Sequence, residues 1–177
     1  MNKVILLDTL KEFTEQAIKD LIMPVMRQKN DTNEEAAPRP ARVYKMSLPD
    51  MKLKDKKAPY IIHQIITGKD EQLAGEREQA ETLVRTVFAV YSPDEQEGGL
   101  MLLNLMERLR IALLQRRVIG GQFALDMQAG IESLIYPDNT PPFYAGEMVS
   151  RWRLPGIERQ YKLDLYQKAM GGEKVGK

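Results

Sequence analysis

Apolar residues recur along Leu100 to Ile119, LMLLNLMERLRIALLQRRVI, at Leu102, Leu105, Met106, Leu109, Ala112 and Leu113. Steps of three and four residues place these side chains on one buried stripe of a helix, and Leu, Met, Ala, Arg and Glu all favour that conformation. Upstream, Ser92-Pro93-Asp94-Glu95 has the form of a capping box with proline at the first helical position; downstream, Gly120-Gly121 has the form of a left-handed stop. Gly98-Gly99 weakens the first turn, so the regular helix is expected to begin after it. At 1.5 Å per residue such a helix is about 30 Å long and crosses a small domain. Leu103, Ile111 and Leu114 widen its apolar face toward a second side. The rest of the chain reads largely as strands that this helix covers.

An earlier helix is predicted from Asn2 to Met23, with Leu6, Leu10, Phe13, Ala17 and Leu21 on one face and Pro24 ending it. Arg27 to Pro40 has no apolar period and reads as an exposed loop, or as an arm that orders on a partner. Arg42 to Ser47 is a short strand. Pro59 to Thr67 is apolar on both faces and β-branched, hence a central strand, with Gly68-Lys69-Asp70 opening a turn and Ala74 to Arg77 at a loop tip. In Thr82 to Tyr91, Val84, Phe88 and Val90 alternate with Leu83, Val87, Ala89 and Tyr91. Beyond the long helix come a short edge piece at Phe123 to Asp126, a strand at Ile131 to Tyr136 and a turn-rich loop at Pro137 to Pro142. In the last strand, Met148 to Leu154, Met148, Trp152 and Leu154 share one face and Arg151 and Arg153 the other. Helices do not alternate regularly with strands. The expectation is an α+β fold, a largely antiparallel sheet packed against an N-terminal and a long central helix in the order α-β-β-β-α-β-β. It forms a single domain over residues 1–160, with 161–177 a mobile or partner-ordered extension.

Composition narrows the function classes. The chain of 177 residues is 43% hydrophobic and 29% charged with a formal net charge of +1, which argues against a dedicated nucleic-acid binder relying on bulk attraction. It contains no cysteine, which removes disulfides, thiolate catalysis and cysteine zinc sites. No apolar run reaches the roughly 18 residues of a membrane span, and the N-terminus lacks the features of a signal peptide.

Candidate chemistry is sparse. The sole histidine, His63, lies between isoleucines in a predicted strand, where a hydrogen-bonded core role outweighs that of a general base. No G-x-S-x-G, H-E-x-x-H or phosphate-binding loop occurs. Asp94, Glu95 and Glu97 fit the start of a helix better than a metal site. No enzyme, cofactor or metal is expected. The candidates are interaction residues: Lys52, Lys54, Lys56 and Lys57 in one loop, Arg108, Arg110, Arg116 and Arg117 around the long helix, Phe143 and Tyr144 in the loop from Asp138 to Ala145, and the pair Arg151 and Arg153. Trp152 reads as a core anchor.

From Leu48 to Arg159 the order of motifs resembles the tail terminator, or tail-completion, proteins of long-tailed bacteriophages and related phage-tail-like particles. The resembling stretches are LPDMKLKDKKAPYIIHQIITGKDEQ, TLVRTVFAVYSPDEQEGG, LLNLMERLRIALL and IESLIYPDNTPPFYAGEMVSRWRLPGIER. They are patterns of hydrophobicity and turns and carry no catalytic fingerprint. The resemblance implies a homohexameric ring that caps the finished tail tube and presents the surface to which a head or neck joins. Its partners are further copies of itself, the major tail tube protein, a neck or head-tail joining protein and, in a contractile tail, the sheath. DNA passes through the lumen and no membrane is involved. The implied location is the host cytoplasm during assembly and then the tail-neck region of the virion. The 27–40 segment and the 161–177 tail go beyond the compact pattern. Two other readings stand beside this one: another neck component, such as a head-tail joining or stopper protein, and a small nucleic-acid-binding module using the loop lysines and helix arginines.

Overall fold

The computed structural model describes residues 3–27, 32, 37–49, 58–71, 79–138 and 141–156. Its elements are α1 (Lys3–Ile18), β1 (Arg42–Lys45), β2 (Tyr60–Glu71), β3 (Gln79–Tyr91), α2 (Glu95–Arg116), β4 (Val118–Ile119), β5 (Phe123–Leu125), β6 (Ile131–Ile135) and β7 (Phe143–Leu154). All seven strands belong to one sheet in the order β1-β2-β3-β7-β5-β4, with β6 also on β7. Only the β1–β2 pair is parallel. The α+β class and a largely antiparallel sheet backed by an N-terminal and a central helix are as the sequence predicts.

β7 is the hub. Along one side it pairs with β3 from Phe143 to Leu154; along the other it pairs with β6 at Gly146–Ser150 and with β5 at Trp152–Arg153. Directly opposed residues share a face, so the register sorts the sheet into two sides. Val84, Thr86, Phe88 and Val90 of β3 join Tyr144, Met148, Ser150 and Trp152 of β7 on the covered side, all buried. Leu6, Leu10 and Ile18 of α1 and Leu102, Leu105, Met106, Leu109 and Leu113 of α2 pack into the same cluster. Both helices therefore lie on one face. Trp152, fully buried, anchors this core and donates its indole N–H to Ser150 Oγ at 3.0 Å.

The helix ends depart from expectation. α1 stops at Ile18, where a turn begins (Leu21 N to Ile18 O, 2.9 Å), and Met23 pairs with Arg39 through two backbone hydrogen bonds of 3.0 Å. That bridge spends the backbone groups of Met23 on a strand-like contact in place of another helical turn. The cap of α2 is Asp94, whose carboxylate accepts from the amides of Gln96 at 2.9 Å and Glu97 at 3.1 Å. Ser92 instead bonds the backbone of Asp94 and sets up the turn. An ionised cap also meets the positive end of the helix dipole, which favours Asp over Ser here. Gly98 and Gly99 lie within α2, and the helix ends at Arg117, not at Gly120-Gly121. Val118 and Ile119, expected in the helix, form β4; β-branched residues suit a strand, and the two glycines, with φ of 56° and 69°, make the tight return into β5.

Gly68-Lys69-Asp70 is strand, not turn, opposed by Thr82, Glu81 and Ala80 across β2 and β3. A bulge between Ile65 and Thr67 resets the register, leaving Ile66 half-exposed. The piece at Phe123 lies between β7 and β4, so it is interior. The last strand begins five residues earlier than expected, at Phe143 rather than Met148, because its partner β3 extends to Tyr91. Only Arg27, Thr32 and Ala37 to Pro40 of the 27–40 segment are described; the Ala74–Arg77 loop and the 161–177 tail lie outside the described residues. Among the described residues, no helix is long and apolar enough to cross a membrane.

Candidate interaction surfaces

Three surfaces follow from this architecture. The first is the sheet face that neither helix touches. By register it carries Tyr60 and Ile62 of β2, Leu83, Arg85, Val87, Ala89 and Tyr91 of β3, and Phe143, Ala145, Glu147, Val149, Arg151 and Arg153 of β7. It is apolar at one end, where the rings of Tyr91 and Phe143 lie 5.6 Å apart, and Phe143 is 47% exposed. Its middle holds a polar trio. Arg85 donates from Nε to Glu147 Oε2 at 2.6 Å and from Nη2 to Tyr136 OH at 3.0 Å, and Tyr136 OH donates to the same Glu147 oxygen at 2.7 Å. The Tyr136 hydroxyl and the Arg85 guanidinium hold the Glu147 carboxyl below its usual range, while burial, followed by Glu147, pushes the Tyr136 phenol up.

The outer side of α2 is the second surface, where Leu100, Leu103 and Ile111 stand exposed around an Arg110–Glu107 pair with bonds of 2.8 and 2.6 Å. The third is the edge of β6 away from β7, which no strand among the described residues pairs with, and where Leu134 is 53% and Ile135 39% exposed.

The predicted interaction residues divide accordingly. Lys52, Lys54, Lys56 and Lys57 lie outside the described residues. Arg108 pairs with Asp20, whose carboxyl sits below its usual range through its own backbone amide and then Arg108. Arg110 pairs with Glu107, and Arg116 is exposed at the end of α2 beside Phe13 and Gln16 of α1. Arg117 closes the helix, its backbone N–H bonding Leu113 O at 2.8 Å and its Nε bonding Leu114 O at 3.2 Å. Arg151 reaches Glu81 at 3.3 Å and Arg153 reaches Asp126 at 3.2 Å. Phe143 is on the open face, but Tyr144, one residue on, points into the core with 6% of its surface exposed. Tyr144 is therefore a packing residue of this fold and not part of an exposed loop. The structure does not gather the arginines into one basic patch.

His63 is fully buried between Thr14 Oγ1 (2.9 Å from Nε2) and Thr86 Oγ1 (2.9 Å from Nδ1), and burial lowers its pKa to about 4. It joins α1 to the sheet. Among the described residues, no three His, Asp or Glu side chains come together as a metal site. Sequence reasoning missed the Arg85–Glu147–Tyr136 trio and the exposed edge of β6. A lone arginine inside the apolar run TLVRTVF was a visible signal for the first; which carboxylate it meets depends on a register between segments far apart in sequence.

No protein-family model and no curated protein matches the chain. Among the solved structures that match, one, of a protein without a functional name, is 11% identical and covers 89% of this chain and 95% of that chain with a TM-score of 0.46. A likeness of that degree carries no argument about function.

Proposed function

We propose that this chain is a structural tail-terminator protein, forming a homohexameric ring that caps the completed tail tube, ends tube polymerisation and offers the surface to which the neck or head attaches. The observation that supports the reading is the arrangement of the fold. A helix, three strands, a long helix and further strands follow one another in the order the resemblance of Leu48 to Arg159 implies. Both helices back one side of the sheet, and the opposite side and the outer side of α2 keep exposed apolar groups, Phe143 and Leu103 among them. Such surfaces suit contacts with copies and neighbours.

The action is stoichiometric. Head-to-tail contacts between subunits close into a ring, the ring docks on the last ring of tube subunits, and the surface where another subunit would add is occupied. Closure multiplies a modest contact per subunit into a firm assembly through effective concentration. Mixing the protein with polymerising tail tube protein tests this by electron microscopy: capped tubes of limited length are expected, and tubes of unrestricted length overturn the proposal. Binding to portal–head complexes in place of tubes reassigns the chain to another neck position.

A further inference from the structure

We propose that residues 161–166 of one copy add as a strand to the edge of β6 that faces away from β7 on a second copy. The hydrogen bond from Tyr136 N to Ala145 O, 3.1 Å, fixes which backbone groups of β6 face its partner. In an antiparallel pair these alternate, so the amides and carbonyls of Glu132 and Leu134 point toward β7 and those of Ile131, Ser133 and Ile135 point away. Among the described residues, no strand lies beside that outward row. An edge of this kind, flanked by exposed Leu134 and Ile135, is a template for an added strand.

The sequence beyond Gly156 supplies a suitable occupant. Tyr161-Lys162-Leu163-Asp164-Leu165 alternates apolar and polar positions, Tyr166 follows, and the stretch contains no Gly or Pro, the pattern of a half-buried strand. One row, Tyr161, Leu163 and Leu165, suits Ile131 and Ile135; the other brings Lys162 toward the Glu132 side of the edge. For its own tail to reach this edge, the chain would have to turn back from the end of β7 past the β4–β5 hairpin and the Asp126–Gly130 turn, which occupy the same side of β7. A tail arriving from a second copy does not have to make that turn. Because tail and edge are different surfaces, the contact is heterologous and can propagate around a ring. It draws on the ring reading for its geometry and needs only a second copy of this chain.

The test uses two full-length variants, Ser133→Pro and Leu163→Pro. Proline at 133 removes an outward amide and leaves the β6–β7 ladder intact; proline at 163 removes an amide from the added strand. Light scattering after gel filtration is expected to show assembled wild-type protein, and monomers for each variant alone, with wild-type unfolding midpoints. An equimolar mixture is expected to give heterodimers, since one partner retains the tail and the other the edge. Variants that assemble as wild type overturn strand addition, and so does a loss of assembly that mixing does not restore, the signature of a tail docked on its own chain. If Ser133→Pro fails to fold, Leu163→Pro alone decides by keeping or losing assembly. Wild-type protein added to growing tail tubes separates the two proposals. Uncapped tubes overturn the capping role while the mixing result stands, and capped tubes with fully assembled variants overturn the strand contact alone.

Discussion

The ring of Tyr144 lies against the backbone of Gly98, so that a β-carbon built at position 98 would stand 2.0 Å from Tyr144 Cε2. The contact explains a glycine inside a helix, where it costs about 1 kcal/mol relative to alanine. Tyr144 also donates its hydroxyl to Glu95 O at 3.2 Å, tying β7 to the first turn of α2. Gly99, next along, has nothing within 4 Å of its would-be β-carbon. The adjacent glycines should therefore respond oppositely to alanine. Gly98→Ala forces a buried ring to move and is expected to lose about 1–3 kcal/mol; Gly99→Ala gains helix propensity and is expected to add up to about 1 kcal/mol. Urea unfolding of both variants checks this, and equal effects would remove the packing explanation.

His63 predicts the acid limb of stability. Both ring nitrogens have hydroxyl partners that can donate or accept, so protonation costs no hydrogen bond and the penalty is the burial of a charge. The folded pKa of about 4 lies below the unfolded value near 6.5. A depressed pKa contributes stability that is complete above the unfolded value and lost as pH falls through the folded one. The window runs from about 6.5 down to about 4, and the total is roughly 3 kcal/mol. The carboxyls held low, on Asp20, Glu107, Asp126 and Glu147, start from unfolded values near 4 and act mainly below that window. His63→Gln is expected to be less stable at pH 7 and to have an almost flat stability profile between pH 6.5 and 4. A slope as steep as the wild type's would assign the acid sensitivity elsewhere.

Local pattern carried most of the fold. The stripe from Leu102 to Leu113 and the alternation from Val84 to Val90 describe surfaces that each segment buries by itself, and both were visible in composition and period. Boundaries were set by partners. Lys69 is strand because Glu81 lies opposite it, and Phe143 because Tyr91 does. Arg117 ends α2 ahead of the glycines because Val118 and Ile119 pair with β5. Candidate interaction residues chosen by charge fared unevenly for the same reason. Arg108, Arg110, Arg151 and Arg153 each meet a carboxylate, and those pairings depend on distant segments or on side-chain geometry. Tyr144 and Phe143 looked alike in sequence, yet strand alternation sends one inward and leaves the other outside.

Arg117 offers a way to separate stability from assembly. It adopts φ 57° at the end of α2 without being glycine, a conformation that disfavours a β-carbon. Arg117→Gly is expected to gain about 0.5–1 kcal/mol from the backbone, less what is lost with the Nε bond to Leu114 O. A variant at least as stable as wild type but defective in the proposed ring assembly would identify the guanidinium as an inter-subunit contact; unchanged assembly would confine Arg117 to the helix end. Thermal unfolding and light scattering on the same sample read both quantities.

In the trio on the open face, geometry sets the size of the effect of each substitution. Glu147 Oε2 accepts from Arg85 and from Tyr136, so neutralising the carboxyl weakens two hydrogen bonds, whereas removing the guanidinium leaves one intact. Arg85 is more than a third exposed (39%) and Glu147 19%, and solvent screens the charges. Glu147→Gln is accordingly expected to cost about 1–2 kcal/mol and Arg85→Met about 1 kcal/mol or less, since Leu83, Val87 and Val149 flank an apolar replacement on the same face. A double-mutant cycle should return a coupling of about 1 kcal/mol that shrinks in 1 M salt, where the screening length falls to about 3 Å. A coupling near zero at low salt would mean that Glu147 is held by Tyr136 alone.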